Sequence, residues 1–255
     1  MLLCIDVGNT NIVMGVFDEE RIIGHWRVRT EKETTADELG ILICSLFQTS
    51  GIKMDGVNGI IIASVVPPLI KTLEGLSKKY FNIKPVIVGH WIKTGMPIKY
   101  DNPEEVGADR IVNSVAAYEK YRCGLIIIDF GTATTFDCIT ADGEWIGGAI
   151  SPGLFISGEA LFSRTSKLPR IEIYSAPKNA IAKNTITAMN VGIIYGYAGL
   201  VDGLVTRLKK EMGHAVKVIA TGGIAPLIAK ESSTIDLIDE NLTLEGLKLL
   251  YERNC

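Results

Sequence analysis

Two common phosphate-binding signatures are missing from this 255-residue chain: neither G-x-x-x-x-G-K-[ST] nor G-x-G-x-x-G occurs. Cysteine is sparse. The five residues (4, 44, 123, 138 and 255) are odd in number and form no C-x-x-C, which argues against a disulfide framework and fits a reducing, cytoplasmic setting. The three histidines, His25, His90 and His214, are too scattered for metal-ligand spacing. No Lys/Arg-rich run occurs, and 26 basic against 29 acidic residues leave a net charge of −3, so nucleic acid is not an expected partner. The opening Met1–Asp6 lacks a basic segment and meets a carboxylate early, so no signal peptide is expected. One apolar stretch, 186–206, has the length of a membrane span. Asn190 and Asp202 interrupt it, and Gly192, Gly196, Gly199 and Gly203 suit close helix packing, so the expectation is a packed helix and no membrane partner.

What is present is a core-forming composition, 47% hydrophobic, and an internal repeat. Residues 3–13 run apolar to Asp6, turn at Gly8 among short polar side chains, and resume apolar through Phe17. That pattern predicts two antiparallel strands around a tight turn. Gly8 admits close approach of a ligand to backbone, and amides beside Thr10 and Asn11 form a cradle for anionic oxygens. Asp6 has the oxygens for a hydrated Mg²⁺. A hairpin capped by turn-forming residues would look the same in isolation. The same pattern returns at Leu125–Asp137, where Asp129 and Gly131 match Asp6 and Gly8, and Thr132 and Thr134 supply hydroxyls. Ile23-Gly24 and Ile146-Gly147 keep the same offset of 123; Ile62-Ala63-Ser64 and Ile219-Ala220-Thr221 lie 157 apart, which implies 34 inserted residues between Ser151 and Thr185. Two similar α/β domains, 1–117 and 118–255, are expected to face each other across a cleft.

Along the chain, strands are predicted at 2–7, 12–17, 22–29, 60–65 and 85–88, with helices from Thr34 or Thr35 to Gly51 and from Pro67 to Tyr80. A polar connection covers 89–108, and Asp109 stands where the cap of a helix over 110–121 belongs. The strand triplet repeats at 125–129, 134–139 and 144–150. A strand at 216–220 ends in Thr221-Gly222-Gly223, and a helix closes the chain at 242–252.

The paired Asp-x-Gly turns resemble the superfamily of acetate kinases, sugar kinases, heat-shock chaperones and actin. More narrowly, Asp6–Asn11, Gly107–Arg110, Asp129–Thr135, Gly147–Gly153, Lys183–Thr185 and Thr221–Gly223 resemble type III pantothenate kinase over essentially the whole length, with Ala182 standing where a glycine is expected. The resemblance implies duplicated ribonuclease-H-like domains, as in actin-like ATPases, and ATP-dependent phosphorylation of the primary hydroxyl of pantothenate. It implies ATP contacts from Asp6, Val7, Gly8, Asn9, Thr10, Asn11, Ile12, Val13, Thr132 and Gly222. Substrate contacts would come from Tyr100, Gly107, Ala108, Asp109, Arg110 and Thr185.

Asp109 would be the base, or it merely caps a helix. Arg110 would grip the substrate carboxylate, or it pairs with Glu104 or Glu105. Thr185 would hydrogen-bond substrate, or it is a helix N-cap. Asp129 would hold K⁺ or NH₄⁺, or it is the Mg²⁺-facing counterpart of Asp6. A homodimer whose second subunit helps build the substrate pocket is implied as well. The rival readings are a kinase of another small alcohol and a non-catalytic regulatory relative.

Overall fold

The computed structural model describes residues 1–255 and divides into two compact units. The first comprises 1–95, 101–116 and 242–255; the second comprises 96–100 and 117–241. In the first, β1 (Leu2–Val7), β2 (Asn11–Asp18) and β3 (Arg21–Arg29) form an antiparallel meander. Parallel β4 (Gly59–Ser64) and β5 (Val86–Ile87) extend it to the order β3-β2-β1-β4-β5. Helices α1 (Ala36–Thr49) and α2 (Pro67–Leu76) cover one face. Strand alternation puts Leu3, Ile5 and Val7 into that core with Ile43, Phe47 and Leu69.

Each helix has local reasons to start and stop. Thr35 and Glu38 form a complete capping box at the head of α1, and Pro67-Pro68 opens α2. The segment after α2 departs from expectation. Regular helix ends at Leu76, and Ser77–Phe81 continue as a wider π turn closed by left-handed Asn82 (φ 56°). Within it, buried Ser77 turns its hydroxyl back to the Leu73 carbonyl at 2.7 Å. Tyr80 comes so close over Gly40 that a Cβ there would lie 2.4 Å from the ring.

The chain's last helix, α7 (Leu242–Asn254), packs on the first sheet, where Leu244 abuts Gly15 and Tyr251 abuts Gly59. Cys4 is on the α7 side, close to Lys248 and Glu252, and the period of two puts Asp6 on that face as well. Helix α3 (Ala108–Tyr121) meets α7 closely: a Cβ on Gly246 would come within 2.4 Å of the Val112 carbonyl, and Thr243 donates to Asn113 at 2.7 Å.

The second unit repeats this plan. Antiparallel β6 (Leu125–Phe130), β7 (Ala133–Ile139) and β8 (Trp145–Pro152) are joined by parallel β9 (Lys217–Thr221) and β10 (Leu237–Ile238), in the order β10-β9-β6-β7-β8. Helices α4 (Leu154–Ser163), α5 (Thr185–Met212) and α6 (Ala225–Ile228) line its core through residues such as Leu154, Ile194, Val201 and Ile228. By length and composition α5 is the one helix able to cross a membrane, yet Ile194, Val201 and Val205 are fully buried in this core.

The sheet registers refine the repeat. Ile5 pairs with Ile62 and Ile128 with Ala220, an offset of 158 where the sequence match suggested 157. The turn between the first two strands is also one residue shorter in the second unit, 131–132 against 8–10.

Candidate active site

Asp6 and Asp129 occupy the same place in their sheets, one residue before the end of the central strand. Asp6 lies between Val13 and Ala63; Asp129 lies between Thr135 and Thr221. Each is followed by a turn whose glycine amide closes on the chain itself: Gly8 N–H donates to the Asn11 carbonyl (2.9 Å) and Gly131 N–H to the Ala133 carbonyl (3.0 Å). Those two amides are therefore spent on shaping the turns. The Asn9 and Thr10 side of the first turn and Thr132 in the second are exposed.

Thr134 does not serve as a phosphate hydroxyl. The alternation of β7 turns it inward, where it is fully buried and hydrogen-bonded to Tyr197, whose own hydroxyl donates to the Pro152 carbonyl at 2.9 Å. Gly222, after β9, has a left-handed backbone (φ 94°), and a Cβ there would meet the Phe130 backbone at 2.6 Å and an Asp129 carboxylate oxygen at 2.9 Å.

The Gly107–Arg110 stretch belongs to the first unit. Helix α3 begins at Ala108, so Asp109 stands in its first turn and not at the cap. The Ile111 amide donates to Gly107 (3.2 Å), which makes Gly107 the flanking residue. The Asp109 carboxylate folds back and accepts the Arg110 amide at 2.8 Å. A side chain at 107 would prevent this, because its Cβ would lie 2.5 Å from the Asp109 carboxylate oxygen. Burial pushes the Asp109 carboxyl above its ordinary value, and the Arg110 amide and guanidinium only partly offset that. Arg110 itself is 7% exposed. Glu104 faces His90 at 3.7 Å and Glu105 accepts from Asn102 at 2.9 Å.

Tyr100 belongs to the second unit and packs edge-on against Trp145, with ring centroids 5.1 Å apart. Trp145 is fully buried and donates its indole N–H to the buried Asp137 carboxylate at 3.0 Å. Sequence reading named Tyr100 but not these two supports. Strand alternation gives no signal for them: it puts Asp137 on the face of β7 opposite Thr134, where Asp137 is buried and bonded to Trp145. Thr185 opens α5, and its expected capping role falls to Asn184, whose side chain accepts the Thr187 amide at 2.9 Å. A concavity of about 820 Å³ in the first unit is lined by Ile12, Thr30 and Leu42 together with Glu31, Glu33 and Glu38. Arg29 and Lys32 line it as well, so its charge is mixed. No cluster of three or more His, Cys, Asp or Glu side chains forms a protein-only metal site. The single carboxylates at positions 6 and 129 instead suit cations that keep water and phosphate oxygens as their remaining ligands.

A five-stranded α/β unit built twice, each copy opening on an Asp-x-Gly turn, defines a member of the actin-like superfamily that includes the small-molecule kinases. In keeping with that fold, the structure superposes on a ROK family glucokinase from Streptomyces griseus with a TM-score of 0.53, 15% identity and 98% coverage of both chains. The family model for type III pantothenate kinase matches residues 2–207. Over 254 residues the chain is 62% identical to a type III pantothenate kinase from Geobacter sulfurreducens, covering 100% of this chain and 99% of the relative. It is 59% identical to one from Syntrophobacter fumaroxidans, covering 100% and 98%. The chain belongs to the type III pantothenate kinase family.

Proposed function

We propose that this protein transfers the γ-phosphoryl group of ATP to the primary hydroxyl of pantothenate, the first step of coenzyme A synthesis. Family membership over the full length carries the reading, and the retained Asp6, Asp109 and Asp129 oppose a non-catalytic role. The new bond joins the pantothenate oxygen to the γ-phosphorus, the bond to the β,γ-bridging oxygen breaks, and ADP leaves. The hydroxyl proton passes to the Asp109 carboxylate. A carboxylate with raised proton affinity is a better acceptor than an ordinary one, provided it is ionised at working pH. Arg110 holds the substrate carboxylate, Tyr100 packs on the substrate, and Gly107, Ala108 and Thr185 complete the contacts. Asp6 through Val13, with Thr132 and Gly222, contact ATP.

A divalent cation, Mg²⁺ near Asp6, and a monovalent one, K⁺ or NH₄⁺ at Asp129, would neutralise phosphate charge. Asp129→Ala should abolish activation by K⁺ and weaken ATP binding; an unchanged K⁺ response would reject that assignment. The whole reading is tested by ADP release over a panel of alcohols, with and without K⁺. Release with pantothenate alone is expected, and equal release with sugars would favour the other-alcohol rival.

We further infer a homodimer located in the cytoplasm. Five cysteines, none of them in a disulfide, suit a reducing compartment. The dimer is supported by the outer face of α5, where a Cβ on Gly192, Gly196, Gly199 or Gly203 would meet nothing within 4 Å. Ile150 (65% exposed), Phe155 (56%) and Ile181 (85%) add uncovered apolar surface in the same unit. Sedimentation equilibrium should give twice the 27.7 kDa chain mass, and Gly196→Phe should reduce it to the monomer. A wild-type monomer at micromolar concentration would contradict this.

A further inference from the structure

The residue just past the third strand holds the phosphate turn in each unit, but by different means. In the first unit that residue is Thr30, which follows the Asn11–Arg29 pair at the end of β3. Its amide donates to the Thr10 carbonyl at 2.9 Å, and its hydroxyl donates to the Gly8 carbonyl at 2.7 Å. In the second unit the equivalent residue is Gly153, after the Ala133–Pro152 pair. Its amide makes the matching bond to the Thr132 carbonyl at 3.0 Å. There is no room for a side chain there: a Cβ would lie 2.2 Å from the Thr132 carbonyl and 2.6 Å from that of Gly131. At this position the second turn is thus held by a backbone bond with no side chain, whereas the first has a hydroxyl inserted between turn and strand.

We propose that Thr30 is a positioning residue that aims the first turn at the nucleotide phosphates, an inference that rests on the nucleotide role assigned above to Gly8–Asn11. The Gly8 amide is already committed to the Asn11 carbonyl, so it cannot serve a ligand. The next donor along the turn is the Asn9 amide, in the same planar trans peptide as the Gly8 carbonyl. In such a unit C=O and N–H point in opposite directions. Tying the Gly8 carbonyl down to Thr30 therefore turns the Asn9 N–H outward. Without the hydroxyl, this peptide is flanked by a glycine and is free to rotate. Thr30 acts through its bonds to the Gly8 and Thr10 carbonyls and is assigned no ligand contact of its own.

The test reads nucleotide affinity directly, by calorimetric titration of the wild-type protein and variants with AMPPNP and Mg²⁺ in the absence of pantothenate. Thr30→Val keeps the volume and removes the donor; it should weaken binding about three- to tenfold, the equivalent of one hydrogen bond. Thr30→Ser should restore it, and the pantothenate KM should stay within about twofold in every variant. Thr30→Ala provides the second donor-free variant in case valine disturbs folding, and it should weaken binding equally. Unchanged affinity in a folded donor-free variant would overturn the proposal. So would failure of serine to restore binding, because the methyl group and not the hydroxyl would then be at work. If the wild-type protein binds AMPPNP but does not phosphorylate pantothenate, the substrate reading fails while the clamp is still tested.

Discussion

Asp109→Asn should lower kcat by about a hundred- to ten-thousandfold, the usual contribution of a positioned proton acceptor, while ATP still binds. Asparagine matches aspartate in size and can still accept the Arg110 amide that the carboxylate accepts at 2.8 Å. The local fold should survive, so a purely structural Asp109 predicts near-normal turnover in this variant. The direction of the pKa shift adds a second readout. The folded-state pKa is raised by burial, so the ionised carboxylate costs stability at neutral pH, and the cost disappears as pH falls below the unfolded value of about 3.9. The variant should therefore melt no lower than wild type at pH 7. In the wild-type enzyme, the acid limb of kcat/KM should fall at a higher pH than an ordinary carboxylate would give. Normal turnover in Asp109→Asn would remove the base assignment.

Arg110→Ala should raise the pantothenate KM roughly tenfold to over a hundredfold, the loss of a shielded charged hydrogen bond, and leave the ATP KM nearly unchanged. The guanidinium is one residue from the base and 7% exposed, so a carboxylate it holds would be sheltered from water. Pantetheine offers a control, since an uncharged amide and thiol stand where pantothenate has its carboxylate. The variant should lose far less with pantetheine than with pantothenate. Equal losses would place the carboxylate elsewhere and return Arg110 to a packing role. Arg110→Lys should recover only part of the loss, because an ammonium lacks the planar fork that matches a carboxylate.

Much of this arrangement is legible in the residues because it depends on local rules. Each Asp-x-Gly turn sits between two strands whose apolar runs are unmistakable, and the repeat at 123 residues identifies the pair. What escapes is set by register and by distant packing. The terminal helix reads correctly as a helix, but its place against β1 and β4 depends on Leu244 and Tyr251 meeting glycines some 190 or more residues earlier. The capping role read for Asp109 misses by two residues: the helix starts at Ala108, and Gly107 flanks it, bare, so that the Asp109 carboxylate can fold back. Thr134 looks like Thr132 in sequence, yet Thr132 stays in the exposed turn while Thr134, two residues on, is already in β7 and meets Tyr197 in the core. The Trp145–Asp137 bond behind Tyr100 joins residues eight apart on neighbouring strands, a pairing that only the sheet register reveals.

The most direct test of the central claim is to identify the product of the purified protein incubated with ATP, Mg²⁺, K⁺ and pantothenate, by mass and by phosphorus-coupled NMR. The expected product is pantothenate carrying one phosphoryl group on its primary hydroxyl, formed in equal amount to ADP. Recovery of unmodified pantothenate, or phosphate on the secondary hydroxyl, would contradict it.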